Sequence, residues 1–141
     1  MQTFLPYPDF EKSAEVLDYN RLGKQRSEAL IAIRAIEEGS GWSNHPVAKM
    51  WTGYTKALRL YHDVVIEEWM DRGYENNMKL FEVEGPVEFP PWLGDERLHR
   101  SHRSNLLRKD TEFYSQYDWD VPPDLDYFWP TREGYDIGNE E

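Results

Sequence analysis

The stretch NHPVAKMWTGYTKALRLYHDVVIEEWMDRG, residues 44–73, decides the fold. Asn44 is a favourable helix N-cap, Pro46 suits the first turn of a helix, and Gly73 is a typical stop. Between these residues, apolar side chains recur every three or four positions: Val47, Met50, Trp51, Tyr54, Leu58, Tyr61, Val65 and Trp69. This spacing predicts one amphipathic helix of about 27 residues, roughly 40 Å long, as the central element.

Two or three further helices are predicted on either side of the central one. Asp18 is a suitable cap for a helix that runs to about Glu38. Asp95 is a suitable cap for a helix over residues 96–109, and residues 110–117 predict a further helical turn. No segment has the alternating pattern of a strand, so the sequence favours an all-α fold.

The remaining segments lack a helical period. Two prolines keep residues 1–9 extended, and five glycines and prolines predict a surface loop over residues 74–94. The C-terminal part is rich in proline, acidic and aromatic residues, and we expect at least residues 119–131 to pack against the helices. Residues 132–141 are expected to be a flexible acidic tail. We therefore predict a single helical domain, residues 1–141, with long irregular connections and an aromatic C-terminal segment.

The bulk composition restricts the class of protein. The chain has 141 residues, of which 15% are aromatic, and this favours a folded chain over a disordered one. It has no cysteine, which excludes disulfides, thiolate metal sites and cysteine nucleophiles. There is no signal-peptide pattern and no apolar stretch near the ~20 residues of a membrane span. We therefore expect a cytoplasmic protein with no membrane partner and no cofactor, and leave its oligomeric state open.

Positive charge is concentrated in two short segments, although the net charge of the chain is −11. Arg21–Arg26 and Arg97–Lys109 contain eight of the sixteen basic residues and no acidic residue. A fold that brings them together would form a positive site on an acidic body, suited to DNA or to a nucleotide-like anion. The alternative is that both segments are solvated helix faces.

Several residues in the first basic segment and just after it are candidate site residues. Arg21, Gln25 and Glu28 share one stripe of the predicted helix, whereas Arg26 falls on its apolar stripe. A guanidinium group beside the core needs an acceptor, so we interpret Arg26 as an anion-binding group at the edge of a cleft. The alternative is a side chain that extends past the core to solvent.

Three histidines are candidate acid/base or phosphate-binding groups. His99 and His102 share a helix face with Arg103, and His45 lies at the start of the central helix. A metal site built from these three imidazoles is a weaker alternative, because their spacing matches no known metal motif. The fourth histidine, His62, is assigned a structural role.

Four segments are similar to a group of short uncharacterised bacterial and phage proteins. They are MQTFLPYPDF at 1–10, RLGKQR at 21–26, NHP at 44–46 with Met50-Trp51, and HRSNLLRKD at 102–110. More remotely, the chain resembles the phage pyrimidine-dimer DNA glycosylases, also called endonuclease V, in its long helix from Met50 to Gly73 and its aromatic residues from Trp129 to Tyr135. The resemblance implies a small all-α enzyme that acts on nucleotides flipped out of a kinked duplex.

The resemblance also implies a mechanism. In that family the α-amine of the mature N-terminus attacks the sugar C1′, and a glutamate between two arginines supports the iminium intermediate and strand cleavage. Placed on this sequence, the first arginine falls on Lys24, the glutamate on Gln25, and the second arginine near Arg26 or Glu28. Gln25 has no carboxylate, so Glu28 is the candidate acid, and the bulky Gln2 predicts that Met1 is retained.

Two functions of different classes follow from the sequence. The first is a nucleic-acid base-processing protein of the glycosylase and lyase type, with the same or a changed chemistry, in which His45, His99, His102, Gln25 and Glu28 are the candidate catalytic residues. Its candidate contacts to phosphate or base are Arg21, Lys24, Arg26, Arg103, Asn44, Trp51 and Tyr54. The alternative is a non-catalytic binding protein for a nucleotide or another small phosphorylated ligand, which the net negative charge favours.

Overall fold

The computed structural model describes residues 1–39 and 41–130, and within them it is an α-helical domain without strands. This confirms the predicted fold class. The predicted tail at 132–141 lies outside the described residues, as does the last residue of the 119–131 segment. The helices are α1 (Phe10–Glu15), α2 (Tyr19–Glu38), α3 (Pro46–Trp51), α4 (Thr55–Asp71), α5 (Glu96–Lys109) and α6 (Thr111–Tyr114). No helix of the described residues is long and apolar enough to cross a membrane.

The predicted central helix is divided into α3 and α4. The chain leaves the helical conformation at Thr52, where ψ is 128°, and Gly53 has a φ of +90°. Glycine takes a positive φ without a steric penalty, so it permits this break. The prediction of one continuous helix was wrong because the apolar period continues across the break, with Trp51 and Tyr54 both packed in or against the core.

Local caps account for the end of α2 and the start of α5, whereas the Asp18 side chain before α2 makes no capping hydrogen bond. Helix α2 begins after Asp18 and ends at Gly39, whose φ of +65° is the left-handed conformation of a C-cap, and α5 begins after Asp95. These bounds confirm the prediction. The cap of α3 is His45 rather than Asn44, and helix α1, capped by Asp9, was not predicted because it is short.

Helices α2 and α4 pack closely in the core. They approach at Gly23, where a Cβ atom would lie 3.2 Å from the Trp69 ring. The guanidinium group of Arg26 lies over the same ring, 4.1 Å from its centroid, and Nη1 of Arg26 donates to Asn76 at 3.4 Å. Arg26 is therefore paired with an aromatic face and an amide oxygen.

Residues 1–5 form an extended, mostly buried segment, which we call the N-terminal strand although it belongs to no sheet within the described residues. Helix α2 provides hydrogen-bond partners for part of its backbone. The amide of Gln25, only 1% exposed, makes two hydrogen bonds to this strand. Oε1 of Gln25 accepts from the Phe4 backbone N at 2.9 Å, and Nε2 of Gln25 donates to the Gln2 carbonyl at 2.7 Å. The Gln25 side chain thus satisfies backbone groups that would pair with a neighbouring strand if this segment were part of a sheet.

Helix α5 satisfies the next residue of the strand with two histidines. Nδ1 of His99 donates to the Leu5 carbonyl at 2.8 Å, while Nδ1 of His102 accepts from the Leu5 N at 2.8 Å. Nε2 of His99 accepts from the Gly94 N at 2.9 Å. Both imidazoles must be neutral for these bonds to form, because each one accepts a hydrogen bond at one nitrogen.

The stability of the protein is expected to fall as the pH is lowered from 6.5. Burial, with a smaller effect of the neighbouring His99, lowers the pKa of His102 from 6.5 to about 3. Between these values the unfolded chain binds a proton that the native state does not, so the free energy of unfolding decreases by up to about 1.4 kcal/mol per pH unit. Urea unfolding at pH 7.5, 6 and 5 measures this slope. His102→Asn keeps an acceptor without the titration, and an unchanged slope in that variant would contradict the assignment.

The C-terminal segment packs along α5 through backbone hydrogen bonds to polar side chains. The Leu125 N donates to Oγ of Ser104 at 3.0 Å, and the Leu125 carbonyl accepts from Asn105 at 3.1 Å. The Phe128 N donates to Oγ of Ser101 at 3.1 Å. The predicted packing is confirmed as far as residue 130, and it brings the aromatic residues of this segment to the N-terminus.

Candidate active site

A cleft of about 460 Å³ opens where the N-terminus, α2 and the C-terminal segment meet. It combines the start of the chain with basic, acidic and aromatic side chains. The residues that line it are Met1, Gln2, Phe4, Asn20, Arg21, Lys24, Glu28, His45, Lys109, Tyr127 and Trp129.

A carboxylate lies beside the chain end in this cleft. Oε1 of Glu28 accepts a hydrogen bond from the Gln2 backbone N at 3.3 Å, and Met1 and Glu28 both line the cleft. Glu28 is one turn after Gln25 on α2, so the helix stripe that holds the N-terminal strand also carries this acid. An amine and a carboxylate that line the same cleft are suited to nucleophilic attack and proton transfer.

Three basic side chains of the described residues line the cleft. Arg21 and Lys24 come from the first basic segment and Lys109 from the second, so the fold joins the two segments at this point. Nη1 of Arg21 donates to Asp18 at 3.1 Å. Burial alone would raise the pKa of Asp18, but hydrogen bonds from Tyr114 and Arg21 lower it. Asp18 therefore stays ionised and orients Arg21.

His45 lies next to the N-terminal amine. Its Nδ1 caps α3 by accepting from the Val47 N at 3.1 Å, which requires the neutral ring to carry its proton on Nε2. Burial and the positive charge of the amine lower the pKa of His45 from 6.5. The neutral ring can therefore donate a hydrogen bond from Nε2 to a group bound in the cleft.

Tyr127 and Trp129 form an aromatic wall of the cleft. Their ring centroids are 5.5 Å apart at an interplanar angle of 47°, and Trp129 meets His45 edge-on at 6.2 Å. The sequence had assigned base stacking to Trp51 and Tyr54 instead. The proximity of residues 127 and 129 to the chain end arises from long-range packing, which no local pattern predicts.

The other predicted base contacts lie outside the cleft. Trp51 is fully buried in the core, where its Nε1 donates to Thr3 at 3.0 Å. Tyr54 packs against the same core, and Asn44 is exposed in a 3₁₀ turn that does not line the cleft. None of these three side chains is placed to contact a ligand in the cleft.

The remaining predicted site residues also lie apart from the cleft. Arg26 lies over Trp69, and Arg103 donates to the Pro6 carbonyl at 2.7 Å and to Glu96 at 2.9 Å. Gln25, His99 and His102 hold the N-terminal strand through the hydrogen bonds given above. Of the predicted catalytic residues, the structure thus brings Glu28 and His45 together in the cleft.

The three candidate histidines do not share one metal-binding position. No group of three His, Asp or Glu side chains among the described residues could hold a metal ion. His45 lines the cleft, whereas His99 and His102 both bind Leu5. The three imidazoles therefore do not form one centre.

Comparison with known proteins identifies one family. The family model described as pyrimidine dimer DNA glycosylase matches residues 1–82, more than half of the chain. This region contains the N-terminal strand, Glu28 and His45, and it ends before α5. No curated protein and no solved structure matches the chain. The chain belongs to the pyrimidine dimer DNA glycosylase family.

Proposed function

We propose that this protein is a DNA glycosylase with lyase activity that uses the α-amine of Met1 as its nucleophile and Glu28 as its acid/base group. The observation that carries the proposal is that the chain end and the Glu28 carboxylate lie in one cleft, with Glu28 3.3 Å from the Gln2 N. Membership of the glycosylase family supports DNA as the partner. An α-amine suits this role because part of it is unprotonated near neutral pH.

The proposed reaction begins with attack of the neutral amine on C1′ of the target nucleotide. A bond forms between the amine nitrogen and C1′, the bond between C1′ and the base breaks, and the base leaves as an anion that takes a proton from water. Glu28 accepts the proton that the amine nitrogen loses and returns it to O4′ as the sugar ring opens, which yields an iminium ion. The ionised Glu28 then accepts a proton from C2′, the 3′ phosphate leaves, and water hydrolyses the iminium to release the protein.

Other cleft residues have supporting roles in this proposal. Arg21, Lys24 and Lys109 bind the phosphates on either side of the target nucleotide, since their charges offset those of the phosphodiesters. His45, neutral because burial and the nearby amine lower its pKa, donates a hydrogen bond from Nε2 to the leaving base. The six residues with a proposed role all line one cleft.

Borohydride trapping tests the proposed chemistry. Incubating the protein with an oligonucleotide that contains an abasic site, in ~50 mM salt, is expected to produce a covalent complex upon reduction. The proposed nucleophile is the α-amine of Met1, so mass spectrometry of the intact protein must first show that Met1 is retained. A variant with one residue added before Met1 moves the amine out of position and is expected to lose at least 90% of the complex. Absence of a complex with the unmodified protein would refute the proposal.

A second candidate function is non-catalytic binding of a nucleotide. It is favoured by the small number of basic side chains in the cleft of a chain with a net charge of −11, which suit a small anion. A nucleoside monophosphate that binds only the native state would raise the melting temperature. Such a rise, together with no trapped complex, would favour this second function.

A further inference from the structure

The cleft is completed by a part of the chain that the family match does not cover. The match ends at residue 82, whereas Lys109, Tyr127 and Trp129 line the same cleft. The amine and the acid therefore lie in the matched region, and an aromatic and basic wall is added by the C-terminal segment.

Among the described residues, few basic side chains line the cleft, and they are Arg21, Lys24 and Lys109. In the described part of the chain, four arginines outside the cleft donate to carboxylates of the protein itself: Arg59, Arg72, Arg97 and Arg103. Arg26 is stacked on Trp69, and Lys56 donates to the Pro86 carbonyl at 2.8 Å. A protein that holds a duplex typically neutralises ~6–10 phosphates.

An acidic groove lies on the surface formed by α1 and α4. It has a volume of about 180 Å³, and its charged lining is entirely acidic: Glu11, Glu15, Glu67, Glu68 and Asp71. A rigid duplex is charged along its whole length, so any part of it that approaches this acidic groove is repelled. A single strand is flexible, so only its few nucleotides in the cleft need favourable contacts.

The aromatic wall has the chemistry that binds unstacked bases. Tyr127 and Trp129 are both partly exposed, lie 5.5 Å apart, and line the cleft together with Lys24 and Lys109. Every base has a π-face, and a base can reach such a wall only when it is free of its own stack. A basic groove combined with aromatic faces is the arrangement typical of single-strand binding.

We propose that the substrate of this cleft is single-stranded DNA, with one base stacked on Trp129 and Tyr127 and the adjacent phosphates on Lys24 and Lys109. The proposal rests on the proposed function for the choice of DNA and deepens it by naming the strand form. The target base then needs no extraction from a duplex, which removes the energetic cost of unstacking and unpairing.

Equilibrium binding to matched oligonucleotides tests this inference without any chemistry. Fluorescence anisotropy of the full protein with an undamaged single strand, and with the duplex of the same sequence, is expected to give at least tenfold tighter binding to the single strand. About three phosphate contacts predict a slope of about −2 for log K against log salt. Equal or tighter binding to the duplex, or a slope steeper than about −5, would overturn the proposal.

Variants of the aromatic wall and its basic edge locate the binding. Trp129→Ala is expected to weaken single-strand binding roughly tenfold, because a stacked base is lost, and Trp129→Phe is expected to restore most of it. Phe128→Ala is the matched control, since the Phe128 ring faces Arg97 at 4.4 Å and does not line the cleft. Lys109 is exposed, so Lys109→Gln does not disturb the core. This variant is expected to make the slope of log K against log salt shallower by about 0.7. A loss in Phe128→Ala equal to that in Trp129→Ala would contradict the assigned wall.

Borohydride trapping on abasic single strands and duplexes separates this inference from the proposed function. A larger amount of trapped complex on the single strand supports both the strand preference and the amine chemistry. Equal or greater trapping on the duplex would overturn the strand preference while the amine chemistry stands. Single-strand binding with the expected slope, but without a complex on either substrate, would refute the amine chemistry while the strand preference stands.

Discussion

Glu28→Gln is expected to lower the rates of covalent trapping and strand cleavage by about 100-fold or more, with little change in the melting temperature. A positioned acid/base group typically contributes about 10²–10⁴ in rate, and glutamine can transfer no proton at neutral pH. Glutamine retains an oxygen acceptor for the Gln2 N, so the N-terminal strand should stay in place. Single-turnover trapping and cleavage of an abasic oligonucleotide measure the effect.

A matched control for this variant lies on the same helix. Glu38→Gln removes the same charge from an exposed position near the end of α2 that does not line the cleft. It is expected to keep activity within about twofold of the unchanged protein. If Glu28→Gln and Glu38→Gln lose activity equally, or neither loses it, Glu28 is not the acid/base group of the cleft.

The second large effect is expected at Gln25, where Gln25→Glu should lower the free energy of unfolding by about 2–4 kcal/mol at neutral pH. The Gln25 amide is buried and donates to the Gln2 carbonyl while it accepts from the Phe4 N. A carboxylate cannot donate, so two acceptors would face each other and a charge would be buried with one bond lost. Urea denaturation at pH 7.5 measures the difference.

Activity in this variant separates two placements of the catalytic acid. The family resemblance places the glutamate at Gln25, so under that placement Gln25→Glu would raise the rate of cleavage. In the structure the Gln25 side chain binds the backbone of residues 2 and 4. We therefore expect Gln25→Glu to displace the N-terminal strand of the protein and to lower the rate of cleavage. The exposed Gln116→Glu is the control, with a change in stability of less than about 0.5 kcal/mol. A stable and more active Gln25→Glu protein would show that the acid belongs at position 25.

Gln25 and Glu28 lie one turn apart on the same stripe of α2, but their surroundings differ. The buried Gln25 amide binds the backbone of residues 2 and 4, whereas Glu28 lines the cleft. The family resemblance falls on Gln25, so the position of the N-terminal strand on α2 is what makes Glu28 the candidate acid in our proposal.

Helix ends were predictable where the signal is local. The bounds of α2 and α5 depend on residues next to the ends themselves, such as Gly39 and Asp95. The break between α3 and α4 was missed because the apolar period persists across Gly53. A helix and a broken helix can bury the same side chains, so the pattern does not distinguish them.

The sequence by itself determined the helical class, the bounds of α2 and α5 and the presence of two acid-free basic segments in an acidic chain. Only the tertiary structure decided which members of those segments share a site. Arg26 and Arg103 are bound to groups of the protein, whereas Arg21, Lys24 and Lys109 line the cleft. The physical reason is that a cleft is built from contacts between residues far apart in the chain. Helical spacing describes only neighbours within a few turns, so it carries no record of where the buried N-terminal strand and the C-terminal aromatic wall meet.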